Sequence, residues 1–257
     1  MSSERVYATG CRKDPYDRRD YAITPFLRAV SAPDIVDHRA EMPEIFDQGR
    51  AGTCVACASG YYDKSFQERR EHAWDMRPRT HRFSPLFIYS QRADKSGDNG
   101  MTIREAMKII NDEGVCSLAE MPYSETGIDT APTAAQLKAA KPFRSKSFAR
   151  ITSIADAERY LADNCFVAGL MVHQSFMDAP GGRIPLPRRG DPFVGGHALC
   201  FVGYERRRSI LRFVNSWGPA WGEAGFGTIG YDVFTALLMD AWGMVDAPDT
   251  ATRGRRR

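Results

Sequence analysis

Long apolar stretches are missing from this sequence. No segment approaches the roughly 18 consecutive apolar residues that a membrane-spanning helix needs, and the polar, charged N-terminus lacks the pattern of a secretory signal. Cysteine is also scarce, because six cysteines in 257 residues are too few for a disulfide scaffold. These absences predict a cytoplasmic protein with reduced thiols and no membrane partner.

Strong charge of one sign is absent as well. Hydrophobic residues make up 43% of the chain and charged residues 26%, which is ordinary for a globular protein, and the formal net charge is +3. No basic run interleaved with aromatic residues precedes the terminal RGRRR, so we expect no nucleic-acid partner. We expect residues 247–257 to form a basic, disordered tail. The sequence predicts no cofactor.

Two halves of the chain differ in hydrophobic pattern. Between about 45 and 142, apolar residues recur at helical spacing, as in the stripe that begins at Cys54, and Ser84–Pro85 and Thr102–Glu105 are helix start signals. From about 143 to 246, short β-rich runs are separated by glycine and proline. A helix is predicted within 153–163, and strands are predicted at 165–172, 197–205, 210–217 and 226–234. The pattern predicts an α+β fold, with a helical half before a mostly antiparallel β half.

Two cysteines stand three positions apart where a glycine-containing turn leads into the first helical stripe. Cys54 would lie at the helix N-terminus, where the partial positive charge lowers a thiol pKa and favours the nucleophilic thiolate. Cys57 lies one turn further along the apolar stripe, where a small side chain packs well. The pair could be a redox motif, half of a metal site, or one reactive thiol with a packed neighbour.

His197 is the histidine best placed to serve such a thiol. In VGGHALCFVGY it stands where a glycine-flanked loop enters a predicted strand, so its ring can face a cleft without crowding. Asn215 follows in VNSWGPAWGEAGFG, at the end of the next predicted strand. The other histidines, which we expect to be structural or solvated, are His38, His72, His81 and His173.

Three sequence blocks resemble the papain-like cysteine peptidases. DQGRAGTCVACAS is similar to DQGxCGSCWAFA of that family, and GGHALCFVGY and NSWGPAWGEAGFG are similar to its histidine and asparagine blocks, in the same order and at matching spacing. The resemblance covers about Asp37 to Met244. It implies a papain-like two-lobe fold, in which a helical lobe and an antiparallel β-barrel-like lobe enclose the active-site cleft. It also implies an enzyme that hydrolyses peptide bonds in peptide or protein substrates.

The resemblance assigns a role to each catalytic position. Cys54 would be the nucleophile that forms a thioester acyl-enzyme, and His197 its base, held together as a thiolate–imidazolium pair. Asn215 would orient the imidazole. The side-chain amide of Gln48 and the backbone N–H of Cys54 would stabilise the developing oxyanion.

The resemblance also implies substrate-binding positions. Trp217 would cover the bond between the histidine and the asparagine and exclude water. The stretch DNGMT resembles the glycine-rich strip that pairs with the substrate backbone, through Asn99 and Gly100. No metal site is expected.

The sequence departs from the family pattern at several positions. The usual disulfide cysteine is Ala51, the aromatic residue after the nucleophile is Val55, and the aromatic residue two further on is Cys57. These changes remove no catalytic group, and the loss of the disulfide fits a reducing compartment. Residues 1–36 resemble the short leader of compact prokaryotic relatives without a long prosegment, which packs on the mature fold, and the peptidase domain would span 37–246.

Other functions are alternatives to this interpretation. A CxxC redox protein would leave Gln48, His197 and Asn215 without a role, and no apolar strand precedes Cys54. Zinc binding lacks a second ligand pair at metal spacing. A papain-like fold used only for binding, or for acyl transfer to an amine, would carry the same residues and stays open.

Overall fold

A computed structural model describes residues 7–27 and 32–245 of the chain. The expected tail at 247–257 and parts of the expected leader, 1–6 and 28–31, lie outside the described residues. The helices are α1 (Cys54–Ala56), α2 (Ser65–His72), α3 (Pro85–Tyr89), α4 (Ile103–Asp112), α5 (Ala134–Ala140), α6 (Ile154–Leu161), α7 (Gln174–Met177) and α8 (Tyr231–Leu237). The strands are β1 (Cys11–Arg12), β2 (Ile35–Asp37), β3 (Met101–Thr102), β4 (Ser147–Arg150), β5 (Phe166–His173), β6 (Arg183–Ile184), β7 (Phe193–Glu205), β8 (Ile210–Val214), β9 (Phe226–Gly230) and β10 (Leu238–Val245).

A continuous helical segment over 54–72 forms the centre of the first half. It begins at Cys54 as α1, widens into a π-helix over Cys57–Lys64 and continues as α2. Gly60 allows α3 to pack closely, because a Cβ there would lie 2.5 Å from Ile88 Cδ1. Within the described part of the chain, no helix is long and apolar enough to cross a membrane.

The start of α4 follows the sequence signal in part. Thr102 Oγ1 accepts the backbone N–H of Glu105 at 3.2 Å, as an N-cap should. Thr102 and Glu105 are spaced for a capping box, in which the Glu105 side chain would accept the backbone N–H of Thr102, but the Glu105 carboxylate accepts the backbone N–H of Ala93 instead. A side chain that finds a partner in a neighbouring loop cannot also reach back to its own cap.

The second half is dominated by one sheet of eight strands. Seven of them follow the order β4–β10–β5–β7–β8–β9–β6, and β2 also pairs with β7. The pairs are antiparallel except β6 with β9. Along β5, Phe166 and Ala168 pack in one core while Val167 packs in the other. Burial on both faces explains the near-continuous apolar runs of the sequence, and the predicted α+β class is confirmed.

The predicted strand over 226–234 was partly wrong. The strand β9 ends at Gly230, and α8 follows it. The buried residues of α8 are Val233, Phe234 and Leu237, which lie on one face of a helix. The predicted strand at 210–217 is also shorter, since β8 ends before Asn215. The asparagine and the tryptophans after it therefore lie in a loop.

Candidate active site

Cys54 lies at the junction of the helical half, the sheet and the N-terminus. It is the first residue of α1 and is fully buried. Backbone N–H groups of Ala198, Val55 and Gly10 interact with its thiol. Ala198 follows His197 on β7, so the strand that carries the histidine also contacts the thiol.

His197 and Asn215 form a buried hydrogen-bonded pair. The distance from His197 Nε2 to Asn215 Oδ1 is 2.8 Å, and neither residue is more than 1% exposed. Asn215 Oδ1 also accepts the backbone N–H of Ser216 at 2.8 Å, which identifies this atom as the amide oxygen. Nε2 of the histidine must then be the donor. Its Nδ1 is buried without a hydrogen-bond partner among the described residues, and it is the nitrogen free to accept a proton.

Trp217 covers the imidazole. The two rings stack with centroids 4.2 Å apart and an interplanar angle of 26°. Tyr7 stacks on the same indole at 4.8 Å, and Trp217 is 1% exposed. The stacked rings shield the imidazole of His197 and its bond to Asn215 from water.

Gln48 is fully buried, and hydrogen bonds hold both ends of its side-chain amide. Its Nε2 donates to Ala51 O at 2.8 Å, and its Oε1 accepts the hydroxyl of Ser216 at 2.5 Å. The same Nε2 lies 3.5 Å from the carbonyl oxygen of Ala8, which also accepts the indole N–H of Trp217 at 3.0 Å. The side-chain amide of Gln48, which the resemblance assigns as an oxyanion donor, therefore lies near the peptide carbonyl of Ala8.

The two predicted strip residues differ in their surroundings. Gly100 is buried with φ +71°, and its N–H donates to the hydroxyl of Tyr89, which in turn donates to Asp98. A Cβ on Gly100 would lie 1.9 Å from the carbonyl oxygen of Gly10. The amide of Asn99 instead donates within its own exposed loop. The structure brings Gly100 into the cleft, whereas the Asn99 side chain stays outside it.

Residues 7–14, which we call the cleft segment, run across these groups. The N–H of Gly10 donates to Gly196 O at 3.0 Å, and Gly10 O accepts the N–H of Met101 at 2.9 Å. Strand β1 pairs in parallel with β3, with Cys11 opposite Met101. Gly10 is required by packing, because a Cβ there would lie 2.1 Å from Gly52 O.

Hydrogen bonds and ion pairs anchor the end of the cleft segment and the chain that follows it. The buried Asp14 accepts the backbone N–H of Arg104, and its own N–H donates to Asp240 at 2.7 Å. Asp20 bonds both Arg104 and Arg150 at 2.9 Å. Arg150 also pairs with Asp240 at 2.7 Å. These partly buried contacts join the N-terminus to α4 and to the sheet.

Burial sets the protonation of the two reactive groups in this closed arrangement. It raises the pKa of Cys54 to about 12, despite the backbone N–H groups around the thiol. Burial also lowers the pKa of His197 to about 4, although the hydrogen bond to Asn215 opposes the shift. The expected thiolate–imidazolium pair is therefore not favoured here, because a covered site disfavours both charged forms.

Cys57 differs from Cys54 in its contacts. Its thiol lies 3.7 Å from Thr53 Oγ1, and it is fully buried in the π-helix. All six cysteines of the chain are free thiols.

Elsewhere in the described residues, Glu68, Glu71 and His72 offer ligand atoms within 4.8 Å of one another. Lys64 Nζ lies 2.7 Å from Glu68, so a metal ion there would compete with an ammonium group already in place.

Sequence reasoning missed the supporting contacts of the site. Ser216 holds Gln48 and fixes the orientation of Asn215, and its place between Asn215 and Trp217 was a usable signal. No residue type in the sequence could indicate the backbone contacts of Ala8 and Gly10, because every residue carries a carbonyl group and nearly every residue carries an N–H.

Comparisons with known proteins identify the family and the fold of the chain. The profile of the papain family cysteine proteases matches residues 32–237. Xylellain, a cysteine protease from Xylella fastidiosa, is 29% identical and superposes with a TM-score of 0.82 over 96% of this chain and 99% of that one. An uncharacterized peptidase C1-like protein of Acanthamoeba polyphaga mimivirus is 28% identical over 93% of this chain and 87% of its own length.

A cathepsin B-like protein of Giardia intestinalis is 28% identical over 81% of this chain and 73% of its own length. The family profile covers most of the chain, and the fold matches that of a bacterial cysteine protease over nearly its whole length. This chain belongs to the papain family of cysteine proteases and is a peptidase that hydrolyses peptide bonds in peptide or protein substrates.

Proposed function

We propose that the chain is an endopeptidase that works through Cys54, His197 and Asn215. The observation that carries the proposal is the buried His197–Asn215 bond of 2.8 Å under Trp217, with the Cys54 thiol against the neighbouring backbone of Ala198. Because Nε2 of His197 donates its hydrogen to Asn215, Nδ1 of the same ring is the nitrogen that can act as the base. This arrangement provides a nucleophile, a base and a group that orients the base.

The proposed reaction has two steps. Cys54 loses its proton to His197 Nδ1, and its sulfur attacks the scissile carbonyl carbon. His197 then gives the proton to the leaving amine, and a thioester remains on Cys54. Water, deprotonated by the same imidazole, attacks the thioester and releases the acid and the free thiol. Asn215 keeps the ring oriented through both steps.

Gln48 and the backbone N–H of Cys54 stabilise the oxyanion in this proposal. Support comes from Ala8, whose carbonyl oxygen lies 3.5 Å from Gln48 Nε2. A substrate carbonyl would replace that of Ala8. The bonds of Gln48 to Ala51 and Ser216 fix the amide before the reaction, as an oxyanion donor requires.

We further propose that the cleft segment keeps the enzyme closed. It covers the thiol, faces Gln48 and contacts Gly100, so substrate cannot reach these groups until residues 7–14 move away. Movement of the cleft segment out of the cleft would readmit water. Water would restore the thiolate–imidazolium pair of Cys54 and His197, which burial disfavours. The chain before residue 37 would then act as a leader. With its six free thiols, the protein would work in the cytoplasm.

A panel of variants tests the proposed triad on internally quenched peptides with both ends blocked. Cys54→Ala and His197→Ala should abolish hydrolysis, whereas Asn215→Ala should leave a measurable remnant, because Asn215 neither attacks nor carries a proton. Cys57→Ala is the matched control, since it removes a buried thiol one turn away and should retain hydrolysis. Equal losses of hydrolysis in Cys54→Ala and Cys57→Ala would contradict the role of Cys54 as the single nucleophile, and equal labelling of the two thiols by iodoacetamide would favour the redox alternative.

Two outcomes separate the remaining alternatives. Mass spectrometry of the products with an added amine distinguishes water from an amine as the acyl acceptor. No cleavage by the wild type or by a variant with a released segment would favour the binding alternative and contradict the proposed function.

A further inference from the structure

The Asp98 carboxylate links the turn before Cys54 to the strip at Gly100. Its Oδ2 accepts the N–H of Gly52, two residues before Cys54, at 2.8 Å. Its Oδ1 accepts the hydroxyl of Tyr89, and the same hydroxyl oxygen accepts the N–H of Gly100 at 3.0 Å. Resting on the proposed function, we infer that Asp98 is a positioning residue, which sets the distance between Cys54 and a peptide held along the strip.

Tyr89 carries the link from the carboxylate to the strip. It is fully buried, so its hydroxyl has to find its partners within the protein. Burial and the hydrogen bond to Asp98 raise the pKa of the hydroxyl, which therefore stays protonated and donates. Because the proton is directed at the carboxylate, the lone pairs of the oxygen are available to the N–H of Gly100. The direction of every hydrogen bond in the link is thereby fixed.

Gly52 allows both side chains to approach the turn. A Cβ on Gly52 would lie 3.0 Å from Asp98 Oδ1 and 3.2 Å from the hydroxyl oxygen of Tyr89. The carboxylate and the hydroxyl therefore pack against the backbone of the turn, and one of them also bonds to it. No disulfide reinforces the turn, since all six cysteines are free thiols. On this side the turn is held by hydrogen bonds.

The chain that crosses the cleft runs between the two linked backbones. A Cβ on Gly10 would lie 2.1 Å from the carbonyl oxygen of Gly52, and a Cβ on Gly100 would lie 1.9 Å from the carbonyl oxygen of Gly10. Gly10 therefore touches both ends of the link. A peptide that replaces Gly10 meets the same two backbones, so the Asp98 link sets how its scissile carbonyl approaches Cys54.

Two esters with the same leaving group test the inference on the full-length chain. One is a blocked tripeptide 4-nitrophenyl ester, whose backbone reaches the strip. The other is 4-nitrophenyl acetate, which has no peptide backbone to bind there. The ratio of kcat/KM between the two esters does not depend on the fraction of molecules with an open cleft, because that fraction scales both values equally. The rate of the Cys54→Ala variant is subtracted from each measurement.

Three variants interrupt the link at different points. We expect Asp98→Ala to lower the tripeptide/acetate ratio about tenfold or more, since a displaced peptide loses its alignment with the thiol. Asp98→Asn has one acceptor oxygen in place of two, and Tyr89→Phe lacks the hydroxyl, so each removes one bond of the link. Each should lower the ratio by about three- to tenfold. The double variant should lose no more than either single variant, because both changes interrupt the same link.

Tyr231→Phe is the matched control. The hydroxyl of Tyr231 donates to Glu158 Oε1 at 2.7 Å, so this variant also removes a hydrogen bond between a tyrosine and a carboxylate. The tripeptide/acetate ratio should equal that of the wild type. Thermal unfolding of every variant measures any loss of stability. Such a loss by itself reduces the amount of folded enzyme, which lowers both kcat/KM values equally and leaves the ratio unchanged.

The outcomes separate this inference from the proposed function. Ratios that do not change in Asp98→Asn and Tyr89→Phe would overturn the positioning role, whether or not Asp98→Ala folds. Turnover of neither ester above the rate of Cys54→Ala would overturn the proposed function, and the positioning role with it.

Discussion

Single side chains at the site differ in what each contributes. In the proposed mechanism, Asn215 orients the base, whereas Gln48 points a donor at the position where negative charge develops. A preorganised donor of this kind lowers the activation barrier because it makes a stronger bond in the transition state than in the ground state. Ser216 acts through Gln48, holding its oxygen at 2.5 Å so that the amide N–H faces the cleft.

Replacement of Gln48 should therefore lower the rate more than the affinity. We expect Gln48→Ala to reduce kcat about 10–10³-fold with a small change in KM, the scale of losing one oxyanion donor. Steady-state kinetics on a slow amide substrate measures the effect. Gln91→Ala is the control, because Gln91 Nε2 donates to Phe87 O at 2.7 Å away from the thiol. An unchanged kcat in Gln48→Ala would show that the oxyanion lies elsewhere.

Among the elements of the fold, the cleft segment is the one that we propose to control access to the site. The backbone of this segment bonds to both sides of the cleft. The carbonyl oxygen of Gly10 accepts the N–H of Met101, and the N–H of Gly10 donates to the carbonyl oxygen of Gly196. While it is in place, the thiol pKa of about 12 and the imidazole pKa of about 4 keep both groups neutral between those values. Movement of the segment should therefore change both access and reactivity.

A methyl group on Gly10 should release the segment. A Cβ there would meet the backbone oxygen of Gly52 at 2.1 Å, and backbone cannot rotate away as a side chain can. We expect Gly10→Ala to raise the rate of Cys54 alkylation by iodoacetamide at pH 6, and kcat/KM on peptides, by about tenfold or more, since water readmitted to the cleft favours the charged pair. Peptide mapping by mass spectrometry identifies the labelled thiol.

The control for this release is Gly127→Ala, because a Cβ on Gly127 meets no atom closer than 3.5 Å. Its alkylation rate should equal that of the wild type. Equal rates in Gly10→Ala and the wild type would show that the segment does not limit access to Cys54.

On the scale of the whole molecule, stability depends on two apolar cores. One core joins the central helix to one face of the sheet, and the other lies on the opposite face. All six cysteines are free thiols. A chain of this length can bury enough apolar surface without covalent links.

Reductant should consequently leave the thermal stability unchanged. We expect the melting temperature with and without dithiothreitol to differ by less than about 2 °C, because a loss of 1 kcal/mol shifts a chain of this size by roughly 2–4 °C. Differential scanning calorimetry at matched pH measures the difference. A decrease of more than about 5 °C would reveal a structural disulfide and contradict the proposed cytoplasmic location.

The sequence by itself determined the fold class, and it predicted the chemistry of the site. Apolar residues at helical spacing after Cys54 predicted helices in the first half, and short, nearly continuous apolar runs predicted strands in the second half. Both predictions work because the spacing of apolar residues along the chain reflects which faces of an element are buried. The residue types at Gln48, His197 and Asn215 predicted their roles through the family resemblance. Local signals failed where a tertiary contact competed, as when Glu105 turned to the N–H of Ala93.

Tertiary structure alone decided how the site is occupied. The cleft segment is held mainly by backbone bonds at Gly10 and by Asp14 against Asp240, over separations that no local pattern encodes. The pKa of Cys54 is raised and not lowered as expected, and this shift also originates in the tertiary structure. A helix N-terminus lowers a thiol pKa locally, but the desolvation that outweighs it comes from segments distant in the sequence.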